Sequence, residues 1–150
     1  VLTTSCSRRI QASAQELWVL VSDPHHLPRW WPRVERVEGV EGRAFTQVLK
    51  TTKGKAVRAD FTVTEADEAS GRLTWAQQLE GGPFARVLAS AETQLELAAE
   101  GESTLVTIEL RQTLAGVLPH LGGHMVSRAA RATLEQALDG LERIGTAPDG

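Results

Sequence analysis

The C-terminal run His124–Ile144, HMVSRAARATLEQALDGLERI, constrains the fold more than any other stretch. Val126, Ala130, Leu134, Ala137, Leu141 and Ile144 recur at steps of three or four. Arg128, Arg131, Glu135, Asp139 and Glu142 recur at similar steps between them. Two interleaved sets of this period describe an amphipathic helix with one apolar stripe and one charged face. Its 21 residues would measure roughly 31 Å at the α-helical rise, enough to cross a small domain. The stripe is mostly alanine and leucine, so the helix can lie close to its partner. Gly140 sits within it at a cost of about 1 kcal/mol relative to alanine. No other stretch of the chain carries a helix pattern of this length. The partner of this helix is therefore expected to be a sheet.

The middle of the chain supplies that sheet. From Val34 the apolar period changes to two, with candidate strands at Val34–Val40, Arg43–Lys50, Lys55–Ala66, Arg72–Glu80, Phe84–Ala98 and Thr104–Leu114. Val57, Ala59, Phe61 and Val63 share one face of their strand, as do Leu73, Trp75, Gln77 and Leu79. In the last strand Val106, Ile108, Leu110, Gln112 and Leu114 lie on one side, Glu109 and Arg111 on the other. Turn residues separate the runs at Glu41-Gly42, Thr51–Gly54, Asp67–Gly71, Gly81–Pro83 and Ala99–Ser103, the pattern of an antiparallel meander. Such alternation describes a sheet with one buried and one wet face.

Before the meander, Leu2–Ile10 reads as a first strand. Ser13-Ala14-Gln15-Glu16 matches a capping box, opening a short helix with Leu17, Trp18, Leu20 and Val21 that Pro24 ends. Pro24–Pro32, PHHLPRWWP, is too rich in proline for anything beyond a short helix or turn. Trp30 and Trp31 are neighbours and, on a helix, point about 100° apart. Either one plugs the core while the other seals an edge, or one lines the rim of a cavity. Gly116–Gly123 then links the last strand to the long helix.

The predicted architecture is α+β. A curved antiparallel sheet of about seven strands wraps on a long C-terminal helix, with two short helices after the first strand. At 150 residues the chain fits a single domain, residues 1–150, able to bury a real core. A net charge of −3 leaves no footprint for nucleic acid. Cys6 is the only cysteine, which excludes an intrachain disulfide. No apolar run reaches the ~20 residues of a membrane span. No leader of the secretory kind is visible at Val1, and the expected location is cytoplasmic.

Polar residues on the buried strand faces carry the functional argument. Gln77 and Gln112 fall among inward apolar positions, and a buried amide without a partner costs a few kcal/mol. The inward alanines Ala59, Ala89 and Ala91 fill little volume. A covered sheet lined with alanine and two glutamines points to a cavity; the alternative is that Trp75, Phe61 and the helix fill that space.

Several stretches together resemble the START-related SRPBCC superfamily, the helix-grip fold, and most closely its polyketide cyclase/dehydrase-like branch. They are Ile10-Gln11-Ala12-Ser13 with Glu16-Leu17-Trp18, Asp23-Pro24, Leu27–Pro32, Leu73-Thr74-Trp75, Gly82-Pro83-Phe84, the strand pair Thr93–Leu97 and Thr104–Leu110, and the closing helix. The resemblance spans essentially the whole chain. It implies a deep hydrophobic cavity between the long helix and the sheet, and it does not imply catalysis, because this fold hosts carriers, receptors and cyclases alike. Aromatase/cyclases of the fold present an arginine and a hydroxyl from the strand that aligns with Val57–Thr64. Phe61 and Val63 stand there instead, and Leu27 replaces a usual aromatic residue.

The expected ligand is lipid-like, polyketide-like or aromatic. Its expected contacts are Trp30, Trp31, Phe61, Trp75, Ala89, Ala91, Ile108, Val126, Ala130 and Leu134, with Gln77 and Gln112 orienting it. No cofactor or metal is expected: His120 and His124 are spaced as ligands on one helix turn, but Gly122-Gly123 intervenes and no carboxylate or cysteine lies close in sequence. The alternative is a cyclase/dehydratase-type enzyme in which a residue such as His120 or His124 moves protons at the cavity mouth. His25 and His26 read as surface residues and Cys6 as a buried strand thiol. The chain is expected to be a monomer or homodimer.

Overall fold

The computed structural model describes residues 1–82, 84–115 and 120–145, with the side chains of His120 and Leu121 outside the description. Its strands are β1 (Leu2–Ile10), β2 (Val34–Glu41), β3 (Ala44–Lys50), β4 (Ala56–Asp67), β5 (Arg72–Gln78), β6 (Leu88–Glu100) and β7 (Ser103–Leu114). They form one antiparallel sheet in the order β1-β7-β6-β5-β4-β3-β2. Five consecutive hairpins build β2 to β7. The chain then closes the other edge by laying β1 beside β7, from Leu2 opposite Gln112 to Ile10 opposite Thr104. The helices are α1 (Ala14–Ser22), α2 (Leu27–Trp30), with a single 3-10 turn at Pro24–His26 before it, and α3 (His120–Gly145).

The local rules account for these elements. Ser13 caps α1, its hydroxyl accepting the Glu16 N–H at 3.1 Å. Asp23 then starts the 3-10 turn by accepting from the His25 N–H at 3.0 Å. Burial raises the Asp23 carboxyl, but the bonds from the His25 backbone and ring and the nearby imidazoles outweigh it and hold the group below its ordinary value. His25 and His26 are thus tied to a helix-start carboxylate. Strand ends differ from the sequence reading by a residue or two except at β6. Residues 84–87 form turns, so that strand starts at Leu88 and not at Phe84.

Helix α3 begins at His120, four residues earlier than expected, and runs through Gly122-Gly123. Its predicted stripe is the buried one: Ala130, Leu134, Ala137 and Leu141 are inside, joined by Leu138. The helix packs against β1, β7 and α2. Gly140 lies on the backbone of Trp30, so close that a β-carbon there would overlap the Trp30 carbonyl oxygen. That approach explains a glycine in the middle of a helix. On the edge above β1, Arg8 reaches Glu135 at 2.9 Å, Asp139, and Glu142 at 3.7 Å, fixing the charged flank of α3 to the first strand.

Most of the core is one cluster under α3 and the short helices, with Ile10, Leu17, Trp30, Leu95, Val106, Ile108, Leu134 and Leu141 among its members. A smaller cluster, Leu79, Leu88 and Ala91 with Phe84 and Leu114 against it, lies apart. The space between the two clusters is the site.

Candidate functional site

A cavity of about 420 Å³ opens between the clusters, within the range of small-molecule sites. Strands β3 to β7 floor it, the Trp31–Arg33 turn after α2 walls one side, and α3 contributes Thr133. The register explains the floor. Phe45 pairs with Phe61, and Phe61 with Gln77. Ala91 pairs with Gln112 across β6 and β7. Gln77 lies one step beyond the Ala76–Glu92 pair, so it flanks Ala91 from β5 as Gln112 flanks it from β7. Two strand spacings separate the glutamines, about 10 Å between backbones. The alanine between them leaves the gap.

Above that row the walls are aromatic. Trp31 meets Trp75 edge to face at 5.7 Å and Trp30 at 5.5 Å, while Phe45 and Phe61 stack at 5.3 Å. Trp30 is 2% exposed and plugs the core beneath Gly140, whereas Trp31 is half-buried and lines the cavity. Each of the two sequence-level readings of the tryptophan pair therefore describes one of its members.

The polar groups are amides and hydroxyls. Gln47, 2% exposed, joins Gln77 and Gln112 in the lining, together with Thr93. The Gln112 Oε1 atom is buried and has no hydrogen-bond partner among the described residues. Such a group stores a penalty of about 1–3 kcal/mol until something satisfies it.

The rim has a different character. Arg33 and Lys50 are the ionisable lining residues among those described, both exposed, with Thr51 and Thr52 beside them. Among the described residues Arg33 is the one non-glycine residue with a left-handed backbone, φ 66°, a conformation that costs on the order of 1 kcal/mol or more outside glycine. Its carbonyl accepts the Lys50 N–H at 3.0 Å, which holds the two rim residues together.

Of the expected contacts, Trp31, Phe61, Trp75, Gln77, Ala91 and Gln112 line the cavity. The other six do not, for identifiable reasons. Ala89 is exposed because a bulge between Leu88 and Ser90 shifts the alternation, turning Leu88 and Ala91 inward instead. Trp30 and Ile108 are buried in the main cluster. Ala130 and Leu134 are buried, and Val126 half-buried, on a helix that lies over β1 and β7, away from the β3–β4 side of the cavity. A stripe identifies the inward face of a helix but not what that face meets. Gln47, Leu49, Val57, Leu110 and Thr133 line the cavity without being among the expected contacts. For Gln47 a signal exists: the period of two places it between Phe45 and Leu49.

Residues singled out for chemistry fall elsewhere. His124 is exposed, 3.4 Å from an Arg128 nitrogen, and is not in the lining. The side chain of His120 lies outside the described residues, as do residues 116–119 of the glycine-rich link and Pro83. Among the described residues no three metal-ligating side chains come together, and no helix is long and apolar enough to cross a membrane. Cys6 is buried on β1, with an Arg131 guanidinium nitrogen 3.7 Å from its sulfur. Burial pushes its thiol above the ordinary value, with Glu135 adding to the rise.

A family model described as polyketide cyclase / dehydrase and lipid transport matches residues 2–144. No curated protein matches the sequence significantly. Among solved structures, the chain is similar to Zhui aromatase/cyclase from Streptomyces sp. R1128, with TM-score 0.81 and 14% identity over 99% of both chains. It is similar to a START superfamily protein from Mycobacterium smegmatis, with TM-score 0.76 and 20% identity over 95% of this chain and 96% of that one. A protein from Thermus thermophilus gives TM-score 0.74 at 24% identity over 95% of both chains. At these identities the likeness is one of fold: a seven-stranded antiparallel sheet gripping a C-terminal helix.

Proposed function

The chain belongs to the polyketide cyclase/dehydrase and lipid transport family, and from that premise we propose that it binds one hydrophobic small molecule in the cavity between the two apolar clusters. Residues 1–150 act as one ligand-binding domain in this reading. Trp31, Phe61, Trp75 and Leu110 surround the apolar body of the ligand, and Gln47, Gln77 and Gln112 fix its orientation. The observation that carries the proposal is the unpartnered Gln112 amide at the floor of an apolar cavity. A cavity that merely failed to fill would have no reason to keep three glutamines. A ligand with a lipid-like, polyketide-like or aromatic skeleton and one hydrogen-bonding group satisfies the amide and displaces water from the walls.

Binding without turnover is the reading the lining supports. The acid or base of a cyclase/dehydratase mechanism must come within hydrogen-bond reach of the proton it moves. Among the described residues, no imidazole, carboxylate or thiol lines the cavity, and its one amine, Lys50, stands exposed at the rim.

The test is titration with the neutral fluorescent dye N-phenyl-1-naphthylamine. The expected result is a saturable rise in dye emission at one dye per chain, accompanied by a change in tryptophan emission, because Trp31 and Trp75 line the cavity. Emission that rises without saturation, equally for native and unfolded protein, would remove the cavity from the account.

A further inference from the structure

Resting on that reading, we infer that the ligand of this cavity is an amphiphile with an anionic end, a carboxylate or a group of like charge, held at the rim by Arg33 and Lys50. Three observations converge on this. The cavity is chemically polarised: its floor carries amides and hydroxyls, its walls are aromatic and aliphatic, and the ionisable groups in its lining among the described residues are two cations at the rim. Neither cation is ion-paired among the described residues, which leaves both available to an anion at the rim. The backbone also fixes their place. Arg33 holds a left-handed φ of 66° where glycine is the unstrained choice, and its carbonyl takes the Lys50 N–H at 3.0 Å.

A structural role for Arg33 alone would not need arginine. The turn after Trp31-Pro32 requires a residue that tolerates φ 66°, and glycine would serve it better. What arginine adds is a planar guanidinium with several donors at the entrance, suited to a two-oxygen anion. Lys50 adds a second positive charge from the end of β3, and the Thr51 and Thr52 hydroxyls are neighbouring donors. Lys53 and Lys55 follow on the same β3–β4 turn, so every lysine of the chain lies at or beside this entrance. The apolar body then runs inward past Trp31 and Trp75, and the hydrogen-bonding group that satisfies the Gln112 amide stands at the end of the ligand opposite the anion, beside Ala91.

The test uses displacement of N-phenyl-1-naphthylamine by matched acid and alcohol probes: dodecanoic acid against dodecanol, and 2-naphthoic acid against 2-naphthalenemethanol. It is run at about pH 8, where the acids are ionised. In at least one pair the acid is expected to displace the dye on the order of tenfold more tightly than its alcohol, the effect of a charge-assisted hydrogen bond. The advantage should shrink in Arg33→Gly and in Lys50→Met, and should weaken with added salt. Arg33→Gly guards against a folding artefact, because glycine accepts the left-handed backbone and the variant should melt no lower than the parent. Equal displacement by acid and alcohol in both pairs would overturn the inference, and so would an acid preference that survives both substitutions. Displacement by none of the four probes would overturn it as well. In each of those cases saturable dye binding would leave the cavity reading standing. If the dye itself does not bind, the cavity reading fails and takes this inference with it.

Discussion

Gly140→Ala is expected to destabilise the protein by about 2 kcal/mol, against a helix-propensity gain of about 1 kcal/mol that would otherwise stabilise it. The new methyl would overlap the Trp30 carbonyl oxygen and come 2.8 Å from the Trp30 Cα. The obstacle is backbone, so no rotamer change relieves it. Either α3 lifts from the sheet or α2 shifts, and both elements carry buried residues of the main cluster. For a chain of this length that corresponds to a melting point lower by about 4–8 °C. Gly123→Ala provides the contrast on the same helix. Among the described residues its β-carbon would meet only the Leu114 side chain, at 3.9 Å, an ordinary contact. There the propensity term stands alone and the melting point should rise. Thermal unfolding of the two variants beside the parent decides the matter, and a Gly140→Ala protein as stable as the parent would refute the close packing of α3 on Trp30. Because Trp30 abuts Trp31 at 5.5 Å, the Gly140 variant should also bind the neutral dye more weakly.

Ala91→Leu is the second large effect, and it falls on binding. Ala91 is 7% exposed and lies between Gln77 and Gln112 on the cavity floor. A leucine there grows into the space the ligand needs and covers both amides. Dye affinity should fall by on the order of 100-fold, equivalent to about 2.7 kcal/mol. Stability should hold or rise, since the added methyl groups fill a void next to Leu88 and Leu79 instead of displacing packed atoms. Loss of binding together with retained stability is the signature of a cavity. The opposite pair, a melting point that drops with unchanged binding, would mean that the space around Ala91 is ordinary tightly packed core.

Much of this architecture is legible from periodicity. The alternation of Thr93, Leu95 and Leu97 against Glu92, Gln94 and Glu96 fixes β6, and the three- and four-residue steps through Leu134 and Leu141 fix the buried face of α3. The site is half legible. Gln77, Ala91 and Gln112 emerge from the same alternation because they share strand faces with Trp75, Thr93 and Leu110. What periodicity cannot supply is the direction in which a helix crosses a sheet. Facing inward makes Val126, Ala130 and Leu134 look like ligand contacts, yet the inward face of α3 meets β1 and β7. Ala89 shows a second limit: one bulged residue reverses every alternation before it, and no residue at Leu88–Ser90 announces a bulge. Arg33 shows a third. Left-handed backbone is read from glycine or asparagine, so an arginine in that conformation carries no sequence signal. The start of α3 reads too late in the sequence because Gly122-Gly123 looks locally like a break, while the contacts of the rest of the helix outweigh their cost.

The most direct measurement of the central claim is native mass spectrometry of the purified protein, before and after addition of the neutral dye, with Ala91→Leu in parallel. The account predicts a complex of one chain with one small apolar molecule, either carried through purification or formed with the dye, and its loss in the variant. Bare chain alone under every condition, with no apolar compound raising the melting point, would contradict the account and leave a helix-grip fold whose interior is filled.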